Sequence, residues 1–557
     1  MDNNLVEQSV EFLSLLEIIR WRSQKQPEQQ AYCFLLDGEV EVQSLTYGEL
    51  DNQAQRIAGL LQACGVKKGE RVLLLYPPGL EFITAFFGCL YAGAIAVPAY
   101  PPRANQSLSR LSAIAKRSVG IATDADSTVA LTTTTVLSHF SQHPTFKTLR
   151  LLTTDNMMAD DWANLWRQPA IDSDTLAFLQ YTSGSTGTPK GVMVSHGNLL
   201  HNQLLIKQAM QHTTATIFVG WLPLFHDMGL VGNMLQPLYL GIPCILMSPV
   251  AFLQKPVRWL QAISQYRATT SGGPNFAYDL CVRKITAEQR ANLDLSSWEV
   301  AFNGAEPVRA ETLEKFAVTF AECGFRREAF YPCYGMAETT LIVSGGCKKN
   351  PPVLQPVQSE ALTQNLIVPA KAGEIDTQVL VGCGQPLEDL KILIVDPQTL
   401  SACSDRQVGE IWVAGASVAQ GYWHQPEQTE STFKAYTKDT QEGTFLRTGD
   451  LGFLQDGELF VTGRLKDLIV IRGRNYYPQD IENTVQHSHP ALEPHGGAAF
   501  SIDVDGEERL VIVQEVQRSH IRKLNVQFRA RPLDAGEFIY SLTSRTYLVA
   551  SCSPHHC

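Results

Sequence analysis

Apolar and polar residues follow two alternating patterns along the first half of the chain. Residues 44–65, SLTYGELDNQAQRIAGLLQACG, carry apolar residues at helical spacing and end at a glycine, which predicts an amphipathic helix. Short apolar runs such as RVLLLYPPG, IAVPAYPP and DTLAFLQYTSG end in proline or glycine, which predicts buried β-strands closed by turns. Strands that alternate with helices form βαβ units, so the sequence predicts an α/β fold with mostly parallel sheets.

The most membrane-like run lies at residues 82–97, FITAFFGCLYAGAIAV. Thr84, Gly88 and Gly93 interrupt it, and it is shorter than the roughly 20 apolar residues that a membrane-spanning helix needs. We therefore predict a buried helix followed by a core strand, and no transmembrane segment. The N-terminus, MDNNLVEQSVEF, has no basic region followed by an apolar core, so we expect no secretory signal.

The second half of the chain follows a different pattern. Residues 345–382 are loop-rich, and residues 448–485 read as short strands with tight turns and a hairpin at Asp456-Gly457. Pro478, followed by Gln-Asp-Ile-Glu, predicts the start of a helix, because proline suits the first helical turn and acidic residues complement its dipole. We expect a β-rich subdomain at the end of the large domain and a small α+β domain from about Gly463.

Composition narrows the class of protein. A chain of 557 residues is too long for one ordinary core, so at least two domains or subdomains are expected. The net charge of −11 argues against a nucleic-acid binder. Twelve cysteines without CxxC pairs indicate reduced thiols and a cytoplasmic protein. Cys552, His555, His556 and Cys557 could ligate zinc, but adjacent histidines at a chain end favour an accidental cluster.

Residues 181–192, YTSGSTGTPKGV, follow an apolar strand and combine three glycines, five Ser/Thr hydroxyls and one lysine. Backbone N–H groups in such a turn, together with the hydroxyls, can bind an anion such as phosphate. The pattern does not match a Walker loop, because Pro189 precedes Lys190 and Gly191 follows it. A flexible linker would be the alternative, but the regular ending P-K-G favours a phosphate loop.

This loop resembles the phosphate loop of the adenylate-forming superfamily, which includes acyl-CoA synthetases, luciferases and peptide-synthetase adenylation domains. NGAEP, YGMAETT, TGD and GRLKDLIVIRG resemble the other signatures of the family and occur in the family's order. The resemblance covers roughly residues 10–515. It implies an enzyme that joins a carboxylate to AMP and releases pyrophosphate, with ATP and Mg²⁺ as cofactors.

The resemblance implies a role for each matching residue. Lys190 would hold phosphates, Glu338 would bind Mg²⁺ and serve catalysis, Tyr334 would stack on adenine, Asp450 would accept the ribose hydroxyls and Arg464 would support it. The remaining nucleotide-site residues implied by the motifs are Thr182, Ser183, Ser185, Thr186, Gly304, Ala305, Glu306, Gly335 and Met336. Lys466 occupies the position of the family's hinge.

The acyl site is expected near two further segments. In WLPLFHDMGL, His226 resembles the family's histidine where the acyl carboxylate enters, although a lone histidine is more often structural. The apolar segment 271–280 is suited to line an alkyl tunnel, and we assign Ser271, Gly272 and Phe276 to acyl binding.

Within the superfamily, the phrases LFHDMGL, SGGPNFAYDLC, AFNGAEPVR, FYPCYGMAE and GRNYYPQDIE resemble the fatty acyl-AMP ligases. These enzymes transfer the acyl group to an acyl carrier protein. Residues 345–381 resemble their insertion, whose apolar residues would pack on the large domain and hinder the rotation that transfer to CoA needs. The expected packing residues are Leu362, Leu366, Ile367 and Val368. A variable surface loop is the alternative.

The family pattern stops after Val516. A P-K-T-[ST]-S-G-K-like loop, whose lysine bridges the acyl carboxylate and the phosphate, is expected there but does not occur, and Lys523 is the only lysine after Lys466. We therefore expect a large domain at 1–462, a truncated small domain at 463–516 and a divergent tail at 517–557. The basic run RSHIRKLNVQFRAR could contact an acidic carrier protein or be a solvated tail.

Three functions remain open at this stage. The first is a fatty acyl-AMP ligase that activates a medium- or long-chain fatty acid for an acyl carrier protein. The second is a catalytically impaired remnant that binds acyl-adenylate, and the third is an acyl-CoA synthetase.

Overall fold

The computed structural model describes residues 12–100, 117–140, 149–157, 161–182, 189–471, 474–504, 507–517, 519–520, 537–542 and 545–552. The strands before the predicted insertion are β1 (Gln30–Leu35), β2 (Val42–Thr46), β3 (Arg71–Leu75), β4 (Ile95–Pro98), β5 (Val129–Thr132), β6 (Arg150–Thr153), β7 (Leu176–Thr182), β8 (Lys190–Ser195), β9 (Phe218–Gly220), β10 (Cys244–Met247), β11 (Thr270–Gly273), β12 (Val300–Asn303), β13 (Phe330–Gly335) and β14 (Ile342–Gly345).

The helices that alternate with these strands are Leu15–Lys25, Tyr47–Ala63, Leu80–Ala92, Thr134–Phe140, Trp162–Leu165, His196–Ala209, Gln236–Leu240, Pro249–Gln254, Val257–Tyr266, Asn275–Lys284, Ala287–Arg290 and Ala310–Phe320. A π-helix spans Met228–Leu235, and short 3-10 turns span Ala321–Cys323, Arg327–Ala329 and Ala337–Thr339. The predicted helix after residue 44 begins with a capping box between Thr46 and Glu49, which satisfies the first free N–H groups.

Two sheets form the framework of the large domain. The first has the strand order β6-β5-β3-β4-β7-β8 and is parallel except for the last pair. The second sheet has nine strands in the order β17-β14-β13-β12-β11-β9-β10-β1-β2, where β17 is Gln385–Pro386. The strands from β13 to β1 in this order are parallel. The predicted α/β fold with mostly parallel sheets is thus found.

The membrane-like run folds as predicted. It forms the helix Leu80–Ala92, which ends at Gly93 in a left-handed conformation with φ of 74°, followed by β4. Every residue of the helix except Glu81 is buried, because the helix packs against the helix Tyr47–Ala63 and against β3 and β4. In the described part of the chain, no helix has the length and apolar character required to cross a bilayer.

A β-rich subdomain follows the large sheets. Its strands are β18 (Lys391–Val395), β19 (Gly409–Ala414), β20 (Ala435–Tyr436), β21 (Gly443–Gln455) and β22 (Glu458–Arg464), with the helix Pro426–Phe433 beside them. The predicted hairpin joins β21 to β22, and both turn residues have positive φ, 53° at Asp456 and 81° at Gly457. This geometry suits an Asp-Gly turn between twisted strands.

The predicted insertion is more regular than its sequence indicates. It forms an antiparallel pair, β15 (Leu354–Gln358) and β16 (Thr377–Val381), around the short helix Ser359–Leu362, and β17 (Gln385–Pro386) follows. Leu362 and Ile367 are buried against Phe453 and Phe460 of the β-rich subdomain, as expected. Leu366 and Val368 are 47% and 38% exposed, so their predicted packing on the large domain is wrong: the segment after the helix turns them outward.

The C-terminal part contains β23 (Ile469–Ile471), β24 (Arg474–Tyr476), the helix Pro478–Ser488, β25 (Leu492–Val504) and β26 (Glu507–Val516), after a 3-10 turn at Leu465–Asp467. This is the expected α+β pattern, and proline occupies the start of the helix. Two further strands, β27 (Glu537–Leu542) and β28 (Arg545–Cys552), extend the sheet in the order β25-β26-β28-β27. His555, His556 and Cys557 lie outside the described residues, as does most of the basic run.

Candidate active site

A cavity of about 740 Å³ opens at the carboxyl ends of β12 and β13. Ligands of open α/β sheets bind at this edge, and the volume is typical of a small-molecule site. The cavity brings together twelve of the residues predicted from the motifs: Thr182, Lys190, His226, Gly304, Ala305, Tyr334, Gly335, Met336, Glu338, Asp450, Arg464 and Lys466. They come from the large domain, the β-rich subdomain and the turn that follows β22.

The phosphate loop itself is only partly described. Thr182 ends β7 and pairs with Lys190 at the start of β8, so both ends of the loop point to the cavity. Ser183, Ser185 and Thr186 lie outside the described residues.

Four predicted residues do not line the cavity. The Ser271 hydroxyl donates to the Val219 carbonyl at 2.7 Å and accepts from Trp259 Nε1 at 2.8 Å, so it is satisfied inside the sheet. A side chain at Gly272 would lie 2.2 Å from the Phe302 carbonyl, so the absence of a side chain here leaves room for Phe302, which lines the cavity.

The other two form a contact outside the cavity. The Glu306 carboxylate accepts from the backbone N–H of Phe276 at 2.6 Å and fixes the start of the helix Asn275–Lys284. The cavity is therefore not lined by any of these four residues, which are Ser271, Gly272, Phe276 and Glu306.

Asp450 is held by groups on both of its oxygens. Arg464 Nε donates to Oδ1 at 3.0 Å from the paired strand β22, and the Tyr334 hydroxyl donates to Oδ2 at 2.7 Å. Burial raises the pKa of Asp450, whereas Arg464 and Tyr334 oppose that rise. The site thus positions a buried carboxylate that can accept further hydroxyl donors from a ligand.

Glu410 supports this region, and the sequence motifs did not indicate it. Its buried carboxylate accepts from the Gly449 N–H at 3.2 Å, from Trp412 Nε1 at 3.0 Å and from two nitrogens of Arg447 at 3.0 and 2.8 Å. These bonds fix the turn that carries Asp450. The sequence signal that could have indicated Glu410 is its position as the single acidic residue in the apolar run VGEIWVA.

Glu338 lies in a second buried arrangement. The Tyr422 hydroxyl donates to Glu338 Oε1 at 2.8 Å, and Lys190 Nζ lies 5.0 Å from the centre of the Tyr422 ring. Burial is the main cause that raises the pKa of Glu338, and Asp227 and Asp450 add to it, while Tyr422 opposes it. Tyr422 thus connects the cation of the phosphate loop to the buried carboxylate, a role that no local sequence pattern indicated.

His226 lies at the N-terminal end of the π-helix. Its Nδ1 is 2.5 Å from Asp227 Oδ1, and the same oxygen accepts from the Met228 N–H at 2.7 Å. The hydrogen bond to Asp227 is the main cause that raises the pKa of His226. A histidine with a raised pKa can present a positive charge to an anionic ligand. Single π-helical turns occur often at functional sites.

Comparison with known proteins gives the family. The profile of the AMP-binding enzyme family matches residues 19–423. This chain belongs to the AMP-binding enzyme family. The chain is 51% identical over 526 residues to the medium-chain-fatty-acid–(acyl-carrier-protein) ligase JamA of Moorena producens, covering 93% of this chain and 87% of the relative. It is 38% identical to the corresponding ligase TtuA of Teredinibacter turnerae, covering 91% and 85%.

Solved structures agree with this family. The fatty acid AMP ligase from Legionella pneumophila has 44% identity and a TM-score of 0.79, with 93% of this chain and 88% of that chain covered. The L. pneumophila fatty acyl-adenylate ligase in complex with acyl adenylate and pyrophosphate has 45% identity and a TM-score of 0.78, covering 91% and 86%. The fold and the family inferred from the motifs are therefore confirmed.

The donor set of the cavity fits magnesium carried by a nucleotide. Mg²⁺ usually takes one or two protein carboxylates plus substrate phosphates. Glu338 supplies one buried carboxylate on the cavity wall, and its Oε1 is already oriented by Tyr422. Within the described ranges, no cluster of three or more His, Cys, Asp and Glu side chains offers an all-protein metal cage.

Proposed function

We propose that this AMP-binding enzyme activates a medium-chain fatty acid with ATP and Mg²⁺ and transfers the acyl group to an acyl carrier protein. The observation that carries the proposal is one cavity that combines Lys190, Glu338 and Asp450 with an apolar extension lined by Phe218 and Phe302. The similarity to two ligases named for medium-chain fatty acids and acyl carrier protein supports the acid and the acceptor.

The reaction requires positioning and neutralisation of charge. A carboxylate oxygen of the acid attacks the α-phosphorus of ATP, the new bond forms acyl-AMP, and the bond to the leaving pyrophosphate breaks. We assign Asp450 to the ribose hydroxyls, Thr182 and Lys190 to the phosphates, and Glu338 to Mg²⁺, which would neutralise phosphate charge when bound. Preorganised charges of this kind act on the developing negative charge in the transition state.

His226 and Lys466 complete the assignment on the side of the acid. A protonated His226 would attract the acyl carboxylate and orient it towards the α-phosphorus. Lys466 follows Arg464 on the cavity wall, at the position we assign to the hinge between the two domains. We place the reaction in the cytoplasm, because ATP and carrier proteins are available there.

The choice of acceptor rests on contacts between the insertion and the small domain. Asn475 Nδ2 donates to Asn365 Oδ1 at 3.0 Å, and its backbone N–H donates to the Thr363 carbonyl at 2.9 Å. Gln378 Nε2 donates to Asp480 Oδ1 at 3.1 Å. These bonds tie the small domain to the insertion, which disfavours the rotation needed for CoA and therefore favours a carrier protein.

The test uses purified protein, ATP, Mg²⁺ and decanoic acid, with pyrophosphate and acyl-AMP as products. We expect both products without CoA, acylation of an added carrier protein, and no acyl-CoA. Acyl-CoA formed by the unmodified protein at the rate of pyrophosphate release would contradict the choice of acceptor. No pyrophosphate with any fatty acid would contradict the proposed function as a whole.

A pair of variants tests the role of the insertion. Asn475→Ala combined with Gln378→Ala removes two side-chain bonds to the small domain, so we expect acyl-CoA to appear. Lys371→Ala changes an exposed residue of the same insertion and serves as the matched control.

A further inference from the structure

The apolar extension of the cavity runs along the strands of the nine-stranded sheet, from their carboxyl ends towards their amino ends. Its mouth lies at Gly304, directly after β12, whereas Phe218 begins β9 at the opposite edge. Thr270, the first residue of β11, pairs with both Phe218 and Val300. From Val300 to Gly304 the strand advances four residues, which corresponds to roughly 13 Å.

The walls of this extension suit an alkyl chain. Met210 and Ile206 contribute from the end of the helix His196–Ala209, and Leu341 and Ile342 contribute from the segment at β14. Phe302 of β12 closes one side. A fatty acid whose carboxylate lies at the mouth would therefore extend along apolar surface towards the far edge of the sheet.

The far end of the extension is polar. We call His212 and Gln236, which both line the cavity there, the pocket floor. His212 Nε2 lies 3.1 Å from Thr270 Oγ1, and its Nδ1 lies 3.4 Å from Gln236 Nε2. Burial lowers the pKa of His212 to about 3, so the ring is neutral and can accept from the Gln236 amide.

One atom of the pocket floor lacks a partner. Gln236 has no exposed surface, and its Oε1 makes no hydrogen bond to any residue in the described part of the chain. A buried polar atom without a partner is costly, and a methyl group placed against it leaves that cost in place. A ligand group that can form a hydrogen bond there removes it.

We infer that the pocket floor binds a hydroxyl group at the far end of the acyl chain. The preferred acids are then medium-chain acids with a terminal hydroxyl rather than a terminal methyl. A hydroxyl donates to Gln236 Oε1 and can also accept from the amide, so it matches this pair in either orientation. The inference rests on the proposed fatty acid activation and names the class of its acid.

The test compares acids of equal length on the unmodified protein. ω-Hydroxy acids from eight to twelve carbons are each paired with the alkanoic acid in which the hydroxyl is replaced by methyl. Pyrophosphate release gives kcat/KM for every pair. At the length that reaches the pocket floor we expect the hydroxy acid to be favoured about tenfold, the effect of one net hydrogen bond.

A variant separates the pocket floor from the rest of the site. Gln236→Met keeps the length of the side chain but removes its amide, so the preference should fall to equality or reverse. The exposed Gln398→Met provides a matched control that should keep the preference of the unmodified protein.

Each result decides between the two proposals. Equal or higher kcat/KM for the methyl-ended acid at every length in the unmodified protein overturns the inference and leaves the proposed function standing. An unchanged preference in Gln236→Met also overturns it. If no acid of either series releases pyrophosphate, both proposals fail together.

Discussion

Replacing Tyr422 by phenylalanine isolates one hydrogen bond of the proposed magnesium site. The change removes the hydroxyl that donates to Glu338 Oε1 at 2.8 Å and keeps the aromatic ring that Lys190 approaches at 5.0 Å. Glu338 is 8% exposed, so water cannot readily replace the lost donor. The variant therefore tests whether Tyr422 keeps Glu338 ionised for catalysis.

The magnitude follows from the charge of the acceptor. A hydrogen bond to a charged buried group contributes about 1.5–3 kcal/mol, which corresponds to a decrease in kcat/KM of roughly 10- to 150-fold. Burial already raises the pKa of Glu338, and the hydrogen bond from Tyr422 opposes that rise. Without the bond the pKa rises further, a larger fraction of Glu338 is protonated at a given pH, and magnesium loses its ligand.

The assay is pyrophosphate release with decanoic acid over a series of pH values and Mg²⁺ concentrations. In Tyr422→Phe we expect the acidic limb of the pH profile to move to higher pH, with activity partly restored by more Mg²⁺. Tyr436→Phe, at a tyrosine that is 51% exposed, is the matched control and should behave as the unmodified protein. A pH profile of Tyr422→Phe that superimposes on the unmodified one would refute the reasoning.

Three further changes test other parts of the structure. Asp450→Ala removes the proposed acceptor of the ribose hydroxyls. The affinity for ATP, measured by calorimetry, should fall at least about 100-fold, because about two charge-assisted hydrogen bonds are lost. Unchanged affinity would contradict the assignment. Asp227 is the main cause of the raised pKa of His226. His226 is fully protonated below its ordinary pKa and loses its proton as the pH rises through the raised value. Because Asp227→Asn lowers the pKa of His226, the increase in the KM for the fatty acid with rising pH should begin at a lower pH than in the unmodified protein. Coincident profiles of KM against pH would disprove this. A side chain at Gly59 would lie 1.9 Å from a backbone carbonyl, so Gly59→Ala should reduce the free energy of unfolding by about 1–3 kcal/mol despite better helix propensity, whereas Gly120→Ala, with open space, should leave Tm at or above its original value.

The regular parts of the fold could be predicted because their signals are local. The helix from Pro478 and the turn at Asp456-Gly457 depend on backbone preferences of neighbouring residues, and both occur as predicted. The insertion was not predictable in the same way, since its pairing joins β15 to β16 across about twenty residues. Leu366 and Val368 lie between these two strands, where no helical or strand periodicity shows which apolar residues face inward, and both were misassigned.

The candidate site likewise contains residues that local motifs predict and residues that only long-range packing brings together. Motif residues such as Asp450 and Glu338 carry their own chemical signal, and the structure places both on the cavity wall. Tyr422 meets Glu338 across 84 positions of sequence, so only the packing of the β-rich subdomain brings them together. Ser271 was assigned to acyl binding from its apolar segment, but it lies in a strand whose residues are all buried, and such a strand has no alternation that shows which face meets the cavity.

The charges of the cavity support the proposed role of a cation carried by the nucleotide. Asp227 and Asp450 both raise the pKa of Glu338, so each of these carboxylates repels the charged form of Glu338 in a buried space. A triphosphate would add negative charge to the same space, where Lys190, Arg464 and Lys466 line the cavity wall. Arg464 is already engaged with Asp450 at 3.0 Å, so its charge is less available to offset that of Glu338. A divalent cation carried by the phosphates would be held by Glu338 and would supply positive charge there, so we expect the acidic groups to favour the magnesium complex of ATP over ATP alone.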